Sequence, residues 1–214
     1  MCAANAVAKF REGAWLVMAT RAGNVKRIAL TEFSNPQARG VKAINIRKGD
    51  ELIGVTPSDG SHEVVLATAQ GKAIRFREKQ VRPMGRAAGG VRGIRLAKGD
   101  HVVGMTVTGA RGALLSVTGL GYGKRTLLPQ YRVTGRGGKG IVNLKVTVRT
   151  GPVVGVLRVE EEDEIMLTTA KGMFLRSRIK DVRIIGRNAQ GVHLIRLEEG
   201  DKLVAVARLA REDT

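Results

Sequence analysis

Residues 70–96 read QGKAIRFREKQVRPMGRAAGGVRGIRL, and weaker copies of this stretch recur three more times along the chain. It begins with a Gln70-Gly71 turn. A strand follows in which Ile74 and Phe76 face one way and Arg75 and Arg77 the other, the period of two that a pleated strand imposes. Next comes a basic connection broken by glycine, where Arg82, Arg86 and Arg92 lie around Pro83, Gly85, Gly89 and Gly90. The stretch closes on a second apolar strand with Ile94 and Leu96.

The same order appears as WLVMATRAGNVKRIAL from Trp15, LLSVTGLGYGKRTLL from Leu114 and IMLTTAKGMFLRS from Ile165. Turn glycines fall at Gly23, Gly71, Gly121 and Gly172, at intervals of 48, 50 and 51 residues. A second series, Gly40, Gly90, Gly140 and Gly191, holds the same period, and each member precedes an apolar strand: VKAINI, VRGIRL, IVNLKV and VHLIRL. Two independent landmarks with one period identify an internal repeat. Gly49-Asp50, Gly99-Asp100 and Gly200-Asp201 then turn three of the repeats into LIGV, VVGM and LVAV, and Thr150-Gly151 takes that place in the third.

Each repeat therefore holds about four short strands rich in Val, Ile, Leu and Thr, and no dozen residues carry a helical period. Four-stranded units of this length predict an all-β, propeller-like array of about four four-stranded blades, roughly residues 11–58, 59–109, 110–159 and 160–209, within one domain spanning 1–214. Residues 1–13 read as a lead-in and 210–214 as a frayed acidic end.

Thirty-seven Lys and Arg against nineteen Asp and Glu give a net charge of +18. That is beyond what solubility needs, and it predicts a polyanionic partner. The excess follows the repeat: residues 113–157 hold seven basic residues and no acidic one. Aromatic residues are 3% of the chain, too few for a single-strand binder that stacks successive bases, so backbone phosphates are the expected target. The single cysteine, Cys2, excludes a disulfide framework and a multi-cysteine zinc site. With no secretory signal and no apolar run long enough to span a bilayer, the expectation is a cytoplasmic protein.

Within each repeat the cations cluster just after the first turn and in the loop before the second glycine. The candidate phosphate contacts are Lys26, Arg27, Arg39 and Lys42; Lys72, Arg75, Arg82, Arg86 and Arg92; Lys124, Arg125, Arg132, Arg136 and Lys139; and Arg176, Arg178, Arg183 and Arg187. If equivalent positions share one rim, they form a continuous basic track. The densest motif is TGRGGKG at 134–140. There Gly135, Gly137, Gly138 and Gly140 surround Arg136 and Lys139, as in a loop that offers backbone amides to a phosphate. It lacks the GxxxxGK[ST] spacing of a nucleotide-binding loop. His62, His101 and His193 occupy non-equivalent positions, which argues against a metal or general-base cluster, and the acidic run EEEDE at 160–164 reads as a solvated turn. No cofactor is expected.

GVRGIRL at 90–96, VRPMGR at 81–86, GLGYGKRT at 119–126 and IIGRNAQGV at 184–192 together resemble the C-terminal domain family of bacterial DNA gyrase A, in order and over nearly the whole chain from Lys9. TGRGGKG resembles that family's box, Gln-x-Arg-Gly-Gly-Lys-Gly, with Thr134 in place of glutamine. The resemblance implies a β-pinwheel that wraps double-stranded DNA and guides it to a type II topoisomerase core for negative supercoiling. The implied partners are the gyrase A core and, through it, gyrase B, with the domain itself monomeric and no membrane involved. The family domain usually has six blades with its box in the first, so four repeats with a box in the third correspond to part of it. Neither Tyr122 nor Tyr131 stands in the Arg-Tyr context of the family's cleavage tyrosine, so the chain on its own is expected to be non-catalytic. The equivalent domain of topoisomerase IV and a propeller that docks an acidic protein are the alternatives.

Overall fold

The structure, a computed structural model, describes residues 12–35 and 38–209. Cys2, the lead-in up to residue 11 and the acidic end at 210–214 lie outside the described residues.

Every repeat opens with a hairpin made by the same local chemistry. Strands β1 (Trp15–Thr20) and β2 (Asn24–Ala29), β4 (Glu63–Thr68) and β5 (Lys72–Arg77), β8 (Ala113–Thr118) and β9 (Tyr122–Leu127), and β12 (Glu164–Thr169) and β13 (Phe174–Arg178) flank the four turns. Each turn reads Thr-x-x-Gly. The glycine amide donates to the threonine carbonyl at 2.9–3.1 Å, and the threonine hydroxyl accepts the amide one residue beyond the glycine at 3.1–3.3 Å. The turn glycines have φ between 78° and 88°, a left-handed conformation that an L side chain resists. A short 3-10 turn follows each hairpin, at Leu30–Phe33, Glu78–Gln80, Leu128–Gln130 and Ile179–Asp181.

The sheets are not contiguous pieces of sequence. The strand entering each repeat's end, β3 (Leu52–Ser58), β7 (Val102–Thr108), β11 (Val153–Val159) and β15 (Leu203–Arg208), pairs with the first strand of its own hairpin. The opposite edge is closed by the next repeat. Two-residue strands β6 (Val91–Arg92), β10 (Ile141–Val142) and β14 (Val192–His193) pair antiparallel with β2, β5 and β9 respectively. The sheet orders are β3-β1-β2-β6, β7-β4-β5-β10 and β11-β8-β9-β14, and the fourth sheet, β15-β12-β13, has three strands among the described residues. The contiguous four-stranded blades expected from sequence are thus replaced by sheets that take three strands from one repeat and a fourth from its successor.

Exchange also explains why the inner strands do not alternate. In β5, Ala73, Ile74, Arg75 and Phe76 are all buried, although the pattern Ile-Arg-Phe-Arg predicts one wet face. Packing on both faces by neighbouring segments removes that face. The described residues pack as two compact units. In one, Val17, Val25, Leu66, Ile74, Phe76 and Ile94 centre the core; in the other, Leu115, Val117, Ile165, Leu167, Ile179 and Ile195 do so.

At the turn, the glycine carbonyl is the anchor for the incoming strand. Gly71 O accepts the amides of Asn143 and Leu144 at 2.8 and 3.2 Å, and a Cβ built on Gly71 would lie 2.1 Å from Leu144 O. Gly99 has a similar φ of 76° but nothing within 4 Å of such a Cβ. Gly99→Ala is therefore expected to cost about 1 kcal/mol from backbone strain alone, and Gly71→Ala at least ~2 kcal/mol more from displacing the exchanged strand. Denaturant unfolding of the two variants checks this; equal losses would contradict it.

Candidate nucleic-acid interface

Five of the eighteen basic residues singled out by sequence serve the interior instead. Lys26 is fully buried, and its ammonium donates to Ala43 O, Arg86 O and Ala88 O at 2.7, 2.8 and 3.0 Å. Lys124, also fully buried, donates to Gly186 O at 2.5 Å and Arg187 O at 2.8 Å. Each therefore ties a hairpin to the arginine-bearing loop of the following repeat. Burial pushes the pKa of both lysines down; for Lys124 it falls to about 8, with the charge of Arg187 adding to the effect. Their Nζ atoms cannot reach a phosphate without abandoning those carbonyls, whose desolvated oxygens would then be left unpaired.

The next residue in the hairpin is an arginine, buried for the same reason. Arg27 sits 4.5 Å over the Trp15 ring and 4.0 Å from Glu78. Arg75 binds Glu63, with Nε donating at 2.6 Å. Arg125 donates to Val182 O at 2.6 Å and to Glu161 at 3.1 Å. The alternation that assigned these side chains to an outer face misled because the exchanged strand and its loop cover that face.

Of the remaining candidates, Arg39, Lys42, Lys72, Arg82, Arg86, Arg92, Arg132, Arg136, Lys139, Arg176, Arg178 and Arg183 are exposed, and Arg187 is half-buried. Two of the fourth repeat's cations are already paired, Arg176 with Glu164 and Arg178 with Asp181. Two series recur in register within the loops. Arg82, Arg132 and Arg183 each follow the buried residue that ends the 3-10 turn (Val81, Tyr131, Val182), and Arg86, Arg136 and Arg187 lie four residues further on. A third exposed series, Arg95, Lys145 and Arg196, was not among the candidates. Its signal lies in the sequence: each stands five residues after the second glycine.

The 134–140 loop is a strap and not an open cradle of amides. Thr134 N donates to Arg75 O at 2.8 Å, Arg136 N to the Gln80 side-chain oxygen at 2.9 Å and Gly137 N to Gly93 O at 2.6 Å. Arg136 Nε and Nη1 donate to Gln80 O and Arg92 O at 2.9 and 3.0 Å. Three of the loop's amides are thus committed inside the protein, contrary to the expectation that its glycines free them for phosphate. What the loop presents is charge, with Arg136 held in one orientation and Lys139 exposed beside it.

The acidic run at 160–164 has a structural use as well. Glu160, Glu161 and Glu164 pair with Arg158, Arg125 and Arg176. Asp163 caps the turn by accepting Glu160 N at 2.8 Å. Tyr122 is buried, accepts a hydrogen bond from Arg149 Nε at 2.6 Å and lies 3.9 Å from the His193 ring. Among the described residues, no three His, Cys, Asp or Glu side chains come together as metal ligands. No helix among them is long and apolar enough to cross a membrane.

The family model described as "DNA gyrase C-terminal domain, beta-propeller" matches residues 14–59, 62–108, 113–160 and 163–210. The chain is 47% identical over 204 residues to DNA gyrase A of Salmonella typhimurium, covering 95% of this chain and 23% of that protein. It spans about a quarter of the length of such relatives. Among solved structures, a DNA gyrase A C-terminal domain superposes with a TM-score of 0.85 at 28% identity, over 94% of this chain and 68% of that one. A C-terminal domain of DNA topoisomerase IV gives 0.89 at 25% identity, over 95% and 64%.

The buried lysine makes a pH-dependent prediction. Between about pH 8 and 10.5, the unfolded chain holds a proton that folded Lys124 has released, so this residue's contribution to stability rises with pH. A neutral amine can still donate to both carbonyls. Relative to Lys124→Met, the parent protein is expected to gain stability across that window, by no more than about 3 kcal/mol. Urea unfolding at pH 7.5 and 10 measures the difference, and a gap that does not change with pH would contradict it.

Proposed function

Because the chain belongs to the DNA gyrase C-terminal domain family, whose model covers all four of its repeats, we propose that it binds and wraps duplex DNA on its exposed arginine loops. On this reading it is a non-catalytic β-pinwheel domain of a cytoplasmic gyrase A. It passes the wrapped segment to the gyrase A core, and through it to gyrase B, for negative supercoiling. The observation that carries the proposal is the recurrence of Arg82, Arg132 and Arg183, all exposed, at one position in successive repeats. It is reinforced by the absence of any acidic residue from Ala113 to Leu157.

Phosphate contacts of this kind carry little sequence information, which suits a wrap that must form on any duplex. Bending sets the requirement on their number. Curving 20–30 bp through 40–90° costs roughly 1–6 kcal/mol, so no single loop suffices and contacts must be spread over repeats. Arg82, Arg132 and Arg183 supply one in each of the last three repeats, and Arg86, Arg136, Arg92 and Lys139 add to them. Lys26, Lys124 and Arg125 act indirectly, by holding the arginine-bearing loops on the hairpins, and Arg27 and Arg75 are taken up by Trp15, Glu78 and Glu63.

Plasmid nicked and religated in the presence of the protein is expected to retain an altered linking number. An unchanged topoisomer distribution at saturating protein, with binding intact, would reject wrapping. Pull-down of a protein partner that survives nuclease, with no mobility shift on duplex DNA, would replace DNA with an acidic protein. Changing Arg82, Arg132 and Arg183 together to alanine should reduce the slope of log affinity against log salt by about 3, one counterion for each lost phosphate contact. An unchanged slope would remove these arginines from the interface.

A further inference from the structure

In three successive repeats the residue directly after the exposed arginine is itself exposed and apolar. Pro83 follows Arg82, Val133 follows Arg132 and Ile184 follows Arg183. Val133 is 41% exposed and Ile184 49%. The first repeat has Ser34 and Asn35 at the two corresponding positions, eleven and twelve residues past its turn glycine. The arginine and the apolar residue are thus present together or absent together. One exposed aliphatic side chain is ordinary on a protein surface. One at the same position in three repeats, always beside an arginine, needs a cause.

The backbone beneath these residues is fixed. Pro83, Val133 and Ile184 each form a parallel bridge to the hairpin arginine of the preceding repeat, Arg27, Arg75 and Arg125 respectively. The carbonyls of those arginines accept the amide that comes next, from Met84, Thr134 or Ile185, at 3.0, 2.8 and 2.8 Å. Each apolar residue and the arginine it bridges to belong to one compact unit. The side chains are stiff as well, since proline is closed in a ring and valine and isoleucine are restricted at χ1 by their branched Cβ. The bridge does not by itself call for an apolar residue, because threonine is as good a strand former. What the three residues share is apolarity and rigidity, the properties of a surface that loses little entropy when it is covered.

We propose that Pro83, Val133 and Ile184 are contact residues for the deoxyribose carbons of the bound duplex, packed against sugars next to the phosphates held by Arg82, Arg132 and Arg183. This rests on the reading of the arginine loops as a duplex interface. Between successive phosphates of one strand lies a sugar, and its carbon face is the apolar part of the duplex backbone. A sugar stands at every step whatever the base, so the contact adds affinity without adding sequence preference, as a wrap on any duplex requires. Unlike an arginine on a phosphate, it releases no counterion and contributes a part of the affinity that salt does not screen.

Val133→Thr and Ile184→Thr exchange an apolar group for a hydroxyl while keeping the branching at Cβ. With its urea-unfolding midpoint unchanged, the double variant is expected to bind duplex DNA roughly tenfold more weakly at every salt concentration, with the parent's slope of log affinity against log salt. Val133→Ile should retain the parent's affinity. The arginine triple variant shows the opposite pattern, a reduced slope. 2-Aminopurine in the duplex should show no rise in fluorescence on binding, because a sugar contact leaves the bases stacked; a rise that the double variant abolishes would replace it with insertion between bases and overturn the proposal. Equal affinity of parent and double variant would overturn it while leaving the arginine interface standing. A lower salt slope in the double variant would also overturn it, since displaced arginines would then account for the loss. A parent chain that does not shift duplex DNA would overturn the duplex reading itself, and this contact with it.

Discussion

A single backbone carbonyl, that of the glycine in the Thr-x-x-Gly turn, is where each of the first three repeats is joined to the next. The turn needs a left-handed φ that suits glycine, and the carbonyls of Gly23, Gly71 and Gly121 each take two amides from the residues just after the following repeat's short strand. Two-residue strands such as β6, β10 and β14 could not hold a sheet edge by themselves. They hold because the residues just after each strand are fixed twice, their amides on the glycine carbonyl and the side chain of Ile94, Leu144 or Ile195 buried. The exchange converts a row of weak local hairpins into sheets whose inner strands are buried on both faces.

That constraint also divides the positive charge. Cations in the middle of the second hairpin strand in the first three repeats are buried, so they must find partners within the protein, and they do: Lys26 and Lys124 on carbonyls, Arg75 on Glu63, Arg125 on Val182 O and Glu161. Cations on the loop that brings the segment in remain outside. A buried lysine in one repeat and an arginine in the loop of the next are thus two ends of one device, the first holding the backbone from which the second projects. Arg136 combines both roles, since its guanidinium binds Gln80 O and Arg92 O while the residue stays exposed.

The repeat, its period, the all-β class and the family were legible in the sequence, because two glycine series and the strings around them survive as local patterns. Strand exchange was not. Nothing in IRFR distinguishes an arginine facing water from one facing a neighbouring repeat, since β-alternation records only which residues share a face and not what lies on it. For the same reason one set of candidates divides in two: Arg82, Arg132 and Arg183 lie exposed in loops, while Lys26, Arg27, Arg75, Lys124 and Arg125 are buried. The 134–140 loop misled differently: its glycines suit close backbone approach, but what approaches is the protein's own backbone, at Arg75 and Gly93.

The division of charge between interior and surface can be read residue by residue from amine acetylation followed by mass spectrometry, with and without duplex DNA. Lys26 and Lys124 should remain unreactive in both conditions, whereas Lys42, Lys72 and Lys139 should react in the free protein and be protected by DNA. Ready modification of Lys26 or Lys124 in the free protein, with protection on adding DNA, would contradict the account.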